Sequence, residues 1–512
     1  MSATLGVVPR PQWVRVSGPG PTLTPWSLDR MLAPDGWRHL GQQFRRDVGS
    51  DGTLPVAGRP SGGPAIEVRH VAELPVRIPA ARGLVPAHDV DERFTLTVDR
   101  DGIVIEATHG AGARHALTTV RHLLADAAVR GTPGRLPGIL IEDGPRFSWR
   151  GLTLDVARTF IAPADVKRIV DLAALYRLSV LHLHLTDDQG WRIEIPGLPE
   201  LTENAEHYSV EDWNGLVQYA EGRGITLVPE IDLPGHCAAL LRAFPACGPD
   251  RGGWLDPTRP GALAILDQVL RQVAAMTRGR HVHIGGDETF GMPDELFAAV
   301  VRHARAVIRD AGRRPVGWQE AARAGLGADD VIQHWMVVDT DRAVVERALA
   351  PEVLAAMEAS LAGSDGDLAS ALAAGAPVIS SPAAHAYLDR PYAEPGLDPG
   401  QEERRARLGL RAYTPAPVST AYRWDPAAMA PRSGAMNIGG VGAALWSETV
   451  RDIDDLGFLL LPRLASIAEV AWSGTGDWDS HADALAIQPH LWEAHGWRTW
   501  FRSSLIAWRM SR

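Results

Sequence analysis

Hydrophobic and polar positions follow two different rhythms along this chain. Between residues 93 and 107, RFTLTVDRDGIVIEA alternates apolar and polar on either side of an Asp-Gly pair, which predicts a two-stranded hairpin. The next stretch, 110–128, places Ala113, Ala116, Leu117, Val120, Leu123 and Leu124 at helical spacing, which predicts an amphipathic helix. From residue 150 onward the chain alternates short apolar runs with helical stretches. The runs are 151–157, 180–185, 226–231, 281–286, 315–319, 331–335, 376–380 and 439–446. Helical stretches such as 162–177 and 293–312 lie between them, with Gly312 where a helix C-cap glycine belongs.

Eight strands alternating with helices is the count of a (β/α)8 TIM barrel. The expected fold is therefore α/β: a small α+β domain over 1–145, then a catalytic barrel over 146–512. Three stretches fit this plan loosely. Residues 50–64, rich in Gly and Pro, are expected to be loop; 336–375 is Ala-rich and longer than a simple crossover needs; 391–436 is expected to be a long loop, with the charged string QEERRAR (401–407) as its solvated face. There is no internal repeat beyond the strand-helix alternation.

In a barrel, chemistry sits at the C-terminal ends of the strands. Those ends carry Arg158, then Thr186, Asp187 and Asp188, then Asp232 and His236, then Asp287 and Glu288. Further along come Trp318 with Glu320, Trp335, Tyr387 with Asp389, and Trp446 with Glu448. Many acids, one Arg, one His and several indoles suit a neutral polyhydroxylated ligand. The balance of 17 Trp against 7 Tyr and 9 Phe points the same way, since indoles stack on sugar rings. A net charge of −11 argues against nucleic acid or an anionic membrane as partner.

The strings RGLTLDVARTF (150–160), LHLHLTDDQGWRIEI (181–195), VPEIDLPGH (228–236), HIGGDE (283–288), GWQE (317–320) and ALWSE (444–448) together resemble glycoside hydrolase family 20, the β-N-acetylhexosaminidases. The resemblance covers the barrel, and the 93–128 unit is similar to that family's small N-terminal domain. It implies an exo-acting, retaining enzyme that releases terminal non-reducing GlcNAc or GalNAc, with the substrate's own 2-acetamido oxygen as nucleophile. It also implies roles. Glu288 is the general acid, Asp287 orients the acetamide and faces the developing positive charge, and Tyr387 bonds the acetamide oxygen. Trp318, Trp335 and Trp446 box the acetamide and sugar face. Arg158, Asp389 and Glu448 grip the sugar hydroxyls, Asp187 and His236 buttress the acid with Asp232 in the same motif, and Trp424 stacks on the next sugar. No cofactor and no metal are implied.

Two other readings remain open on the residues. One is a non-catalytic glycan-binding protein, against which Asp287, Glu288 and Tyr387 count, because binding alone needs no such set. The other is a metal-dependent barrel hydrolase using His182 and His184. The only lysine, Lys167, falls on a predicted helix, so no strand offers a bridging lysine. The two histidines are expected to be satisfied core residues and Asp188 to be structural. Cys237 and Cys247 are either buried thiols or one local bridge. The start, MSATLGVVPRPQ, has no basic segment followed by an apolar run, so a cytoplasmic location is expected. The oligosaccharide or glycoconjugate substrate is the expected partner.

Overall fold

The computed structural model describes residues 5–55, 65–250, 252–340, 342–348, 351–429 and 437–509. The N-terminal unit is a five-stranded sheet: β1 (Trp13–Thr22), β2 (Ala65–His70), β3 (Phe94–Val98), β4 (Gly102–Ala107) and β5 (Arg135–Asp143), in the order β1-β5-β3-β4-β2. The hairpin read from the alternation is β3–β4, antiparallel with Val98 opposite Ile103. The helix Gly110–Val129 lays its apolar face on this sheet, burying Ala113, Ala116, Val120 and Leu124 completely.

The barrel strands follow: β6 (Trp149–Asp155), β7 (Val180–His184), β8 (Thr226–Glu230), β9 (His281–His283), β10 (Arg314–Trp318), β11 (Val331–His334), β12 (Val378–Ser380) and β13 (Ile438–Leu445). They form a closed parallel barrel, sealed where β13 pairs with β6 from Gly440↔Trp149 to Leu445↔Leu154. Apart from the first residues of β8 and β10, Thr226 and Arg314, the strands are buried, because helices cover the outside and side chains fill the inside. The lower interior is apolar, with Trp149, Val180, Val228, Val316, Val331 and Ile379 packed together with Leu84. The middle of the interior is polar, built from Thr153, His182, His184, Glu230, His283 and Gln333. Among the described residues no helix is long and apolar enough to cross a membrane.

The two units are joined by buried charge. Arg177, fully buried, reaches Asp143 at 3.3 Å and Thr119 at 2.7 Å, while both terminal nitrogens of Arg150 hold Glu92 at 2.9 Å. The Trp472 ring takes both guanidinium groups, at 5.1 and 4.9 Å from its centroid, and donates its N–H to Asp143.

Two stretches differ from the sequence reading. The Ala-rich segment forms the helices Arg342–Ala348 and Pro351–Ala374, so its extra length is helix. The 391–436 segment is not plain loop: it contains the short helix Glu402–Arg407, whose Arg404 and Arg407 hold the buried carboxylate of Asp455 at 2.9 and 2.6 Å. QEERRAR therefore clamps the barrel wall instead of only facing solvent. Residues 56–64 and 430–436 of the two expected loops lie outside the described residues.

Candidate active site

The turn after β9 carries the two adjacent acids, and its glycines are required by geometry. Gly285 and Gly286 have φ of +67° and +103°, and a Cβ on Gly285 would lie 1.7 Å from Asp232 Oδ1. That same Oδ1 accepts the Gly286 N–H at 3.1 Å. Glu288 itself has φ of +46°, a conformation a non-glycine side chain adopts only when its surroundings impose it. The turn thereby points both acids into one cavity of about 100 Å³ at the C-terminal mouth of the barrel.

Arg158, Asp187, Asp232, His236, Trp335, Tyr387, Trp446 and Glu448 line that cavity with the two acids. His184, Leu410 and Tyr413 line it too. Larger hollows, of about 400 and 740 Å³, lie at the N-terminal ends of the strands and hold none of these acids. Size does not locate the chemistry here.

A chain of polar contacts runs from the barrel interior to the acids. Glu230, fully buried, accepts from Trp318 Nε1 at 2.8 Å and lies 3.0, 2.7 and 2.9 Å from His182, His184 and His283. His184 Nε2 meets Asp187 at 2.9 Å, and Asp187 meets Arg158 at 2.8 Å and His236 Nδ1 at 3.3 Å. His236 Nε2 then lies 3.5 Å from Glu288 and 3.8 Å from Asp287. Burial works against charge on His236, but Asp187 and Glu288 outweigh it and hold the imidazole protonated well above its usual range. Asp187, despite its burial, is held well below the usual carboxylate range by His184 and His236. Asp232 is pushed up to about 7 by burial, and Asp287 well above the carboxylate range by burial and then by Asp232.

The same cavity carries an aromatic wall. Tyr387 lies nearly parallel to Trp335 (6.4 Å, 11°) and edge-on to Trp446 (5.9 Å) and Tyr413 (6.0 Å). Trp318 is completely buried behind Trp446, so it forms the floor beneath the wall and does not line the cavity. Arg158 ties the rim together, 3.4 Å from Glu448, with its guanidinium 5.2 Å from the Trp446 ring centroid. Asp389 is 1% exposed beside these groups; burial and then Glu448 push it well above the carboxylate range. Trp424 is not brought to the cavity. It is buried, stacked on His385 at 5.8 Å, and its N–H is given to the Ala421 carbonyl.

Several residues of the site escaped the sequence reading. Asp155, the last residue of β6, accepts the Arg158 and Ser447 N–H groups and so joins the first strand end to the last. Its position at a strand end was the available signal. Glu230 stood in VPEID but reads as an ordinary strand residue without its three histidines. Tyr413 comes from the long 391–436 segment, where no periodicity marks it.

His182, Glu230 and His283 bring potential metal-ligand atoms together, as do Asp232, His236 and Asp287. In the first group the nitrogen-oxygen separations are 2.9–3.0 Å. Ligands on a tetrahedral zinc stand about 3.3 Å apart, so this group is drawn closer together than a zinc site holds its ligands. Asp188 has a structural task, accepting the Ala238 N–H and, through its carbonyl, bonding Arg242. Cys237 and Cys247 are buried free thiols, with Cys237 donating to the Pro234 carbonyl.

Comparison with known proteins decides the family. Residues 147–475 match the model of glycosyl hydrolase family 20, catalytic domain. The chain belongs to that family. This family 20 chain is 36% identical over 478 residues to a β-N-acetylhexosaminidase of Cellulomonas fimi, covering 88% of each protein. The solved N-acetyl-β-hexosaminidase of Streptomyces plicatus is similar at 29% identity and a TM-score of 0.81, over 99% of this chain and 98% of that one. The family 20 enzyme of Streptomyces coelicolor A3(2) is similar at 30% identity and a TM-score of 0.80, over 99% of both. The family 20 chain described here is accordingly a glycoside hydrolase on a (β/α)8 barrel preceded by a small α+β domain.

Proposed function

We propose that this hydrolase is a retaining exo-β-N-acetylhexosaminidase, removing terminal non-reducing GlcNAc or GalNAc by way of the substrate's own 2-acetamido group. One observation carries the reading. Asp287 and Glu288 leave the same turn, so they approach a sugar from one side, in the cavity they share with Tyr387, Trp335 and Trp446. Ordinary retaining glycosidases place two carboxyls about 5–5.5 Å apart across the scissile bond. Adjacent acids are poorly placed for that, whereas a nucleophile carried by the substrate removes the need.

Glu288, with its side chain 36% exposed in the cavity, protonates the glycosidic oxygen and then takes a proton from water. Asp287 sits deeper, and its Oδ1 is buried with no hydrogen-bond partner. Burial and Asp232 disfavour its charge. An acetamide N–H and a growing positive charge beside it reverse that balance, so the carboxylate gains most at the cyclised intermediate. Tyr387 offers its hydroxyl to the acetamide oxygen, and the indoles exclude water around the methyl group. Arg158, Glu448 and Asp389 close the far end around the terminal ring, which suits exo-action.

Hydrolysis of paired aryl β-glycosides differing only at C2 tests this. The 2-acetamido sugar should turn over, and the 2-hydroxy glucoside should hardly react even when it binds. A thiazoline mimic of the cyclised intermediate should inhibit strongly. Comparable turnover of the 2-hydroxy glucoside, or an ester trapped on either acid by a 2-fluoro sugar, would overturn the substrate-assisted route.

A further inference from the structure

Glu320 lies outside every role given so far, yet it touches the site from two directions. The strand β10 ends at Trp318, and the chain enters a single tight helical turn, Gln319–Ala324. From that turn Glu320, 2% exposed, accepts the backbone N–H of Glu288 on Oε1 at 3.4 Å and the indole N–H of Trp335 on Oε2 at 3.0 Å. Gln319 braces the same indole residue, accepting the N–H groups of Trp335 and Met336 at 3.1 and 2.9 Å and donating to Ser364 at 2.8 Å. The packing is direct. A Cβ on Gly317 or Gly286 would lie 2.9 or 3.1 Å from Ala321 Cβ, so the turn bearing the two acids rests on the turn bearing Glu320.

We infer that Glu320 is a positioning residue for the reaction: its one carboxyl group fixes the peptide of the acid Glu288 and the indole of Trp335 relative to each other. The inference rests on the acid role proposed for Glu288. Three features carry it. Glu288 holds a left-handed backbone at φ +46°, so its peptide needs an outside partner to stay in register. The Trp335 ring is the member of the wall most nearly parallel to Tyr387, so its tilt sets the width of the slot. The carboxyl group that joins them is buried between them, and burial and the neighbouring Asp287 push its pKa up to about 8.

The test is a leaving-group series on wild type, Glu320→Gln, Glu320→Asp and Glu288→Gln, using β-N-acetylglucosaminides from dinitrophenyl to alkyl. The amide of Glu320→Gln offers one acceptor where two N–H groups need one each, and the shorter Glu320→Asp reaches only one of them. A displaced acid hurts most where protonation matters most. Both variants should therefore lose about 10²-fold in kcat/KM on the alkyl glycoside and only a few-fold on the dinitrophenyl one, following the slope of Glu288→Gln. A merely architectural role lowers the active fraction and scales every substrate by one factor. Equal losses across the series in both variants would overturn the inference. A flat series for Glu288→Gln, or a wild type inactive on all of them, would instead overturn the acid assignment on which it stands.

Discussion

At the scale of single residues, the rim is crowded with acids whose charge burial disfavours. Asp389 shows the cost most simply, because burial and the nearby Glu448 both raise it. An acid with a higher pKa folded than unfolded binds its proton more tightly when folded. Its contribution to stability is therefore full below about pH 4 and fades as pH rises toward the folded value. Asp389→Asn never ionises. Thermal melts of the unliganded protein should show the variant gaining on wild type as pH climbs from 5 to 8, while activity on the aryl β-N-acetylhexosaminide falls. A gap that is constant with pH would mean that Asp389 is not held neutral. Much of the cavity lining was legible because acids and indoles at strand ends are rare for structural reasons alone. Trp424 was misplaced because an indole in a long segment has no periodicity to orient it, and here its face and N–H are already taken. Tyr413 was missed for the same physical reason.

Between residues and the whole lies the turn, and the glycines of HIGGDE show how strictly a strand end can be specified. Gly285 and Gly312 both have positive φ, at +67° and +74°, but only Gly285 is crowded; nothing lies within 4 Å of a Cβ on Gly312. Gly312→Ala should cost about 1 kcal/mol in chemical denaturation and leave kcat intact. Gly285→Ala must move either Asp232 or the acid turn, so it should lose activity far beyond its loss of stability. Similar residual activities for the two would mean that the turn tolerates displacement. The eight barrel strands were readable from the sequence because short, largely apolar runs alternate with helical stretches. The helix at Glu402–Arg407 was not, since six residues rich in charge have no apolar face to betray them. Its reason for folding is Asp455, about fifty positions away in the chain.

For the molecule as a whole, the base of the barrel is bolted to the N-terminal sheet by ions, of which Arg177 and Asp143 are fully buried. Arg177→Met leaves Asp143 with its main charge partner gone, and losing one member of a buried pair costs about 3–5 kcal/mol. Denaturant midpoints should fall accordingly, whereas kcat per folded molecule should stay unchanged because the mouth lies at the opposite end of the barrel. A matching fall in kcat would show that the two ends are coupled. This interface was invisible in the sequence, where Asp143, Arg150, Arg177 and Trp472 stand far apart and each looks unremarkable. The seam between β13 and β6 has a kinetic consequence of its own. It joins the strand that delivers Glu448 to the strand that delivers Arg158, and Asp155 receives the Ser447 N–H across it. Those partners are nearly three hundred positions apart, so loop-closure entropy makes theirs among the slowest contacts to form. Until the seam zips, Arg158 and Glu448 cannot meet at the mouth, and the hydrolase on its way to the native state is an open sheet that is not yet an enzyme.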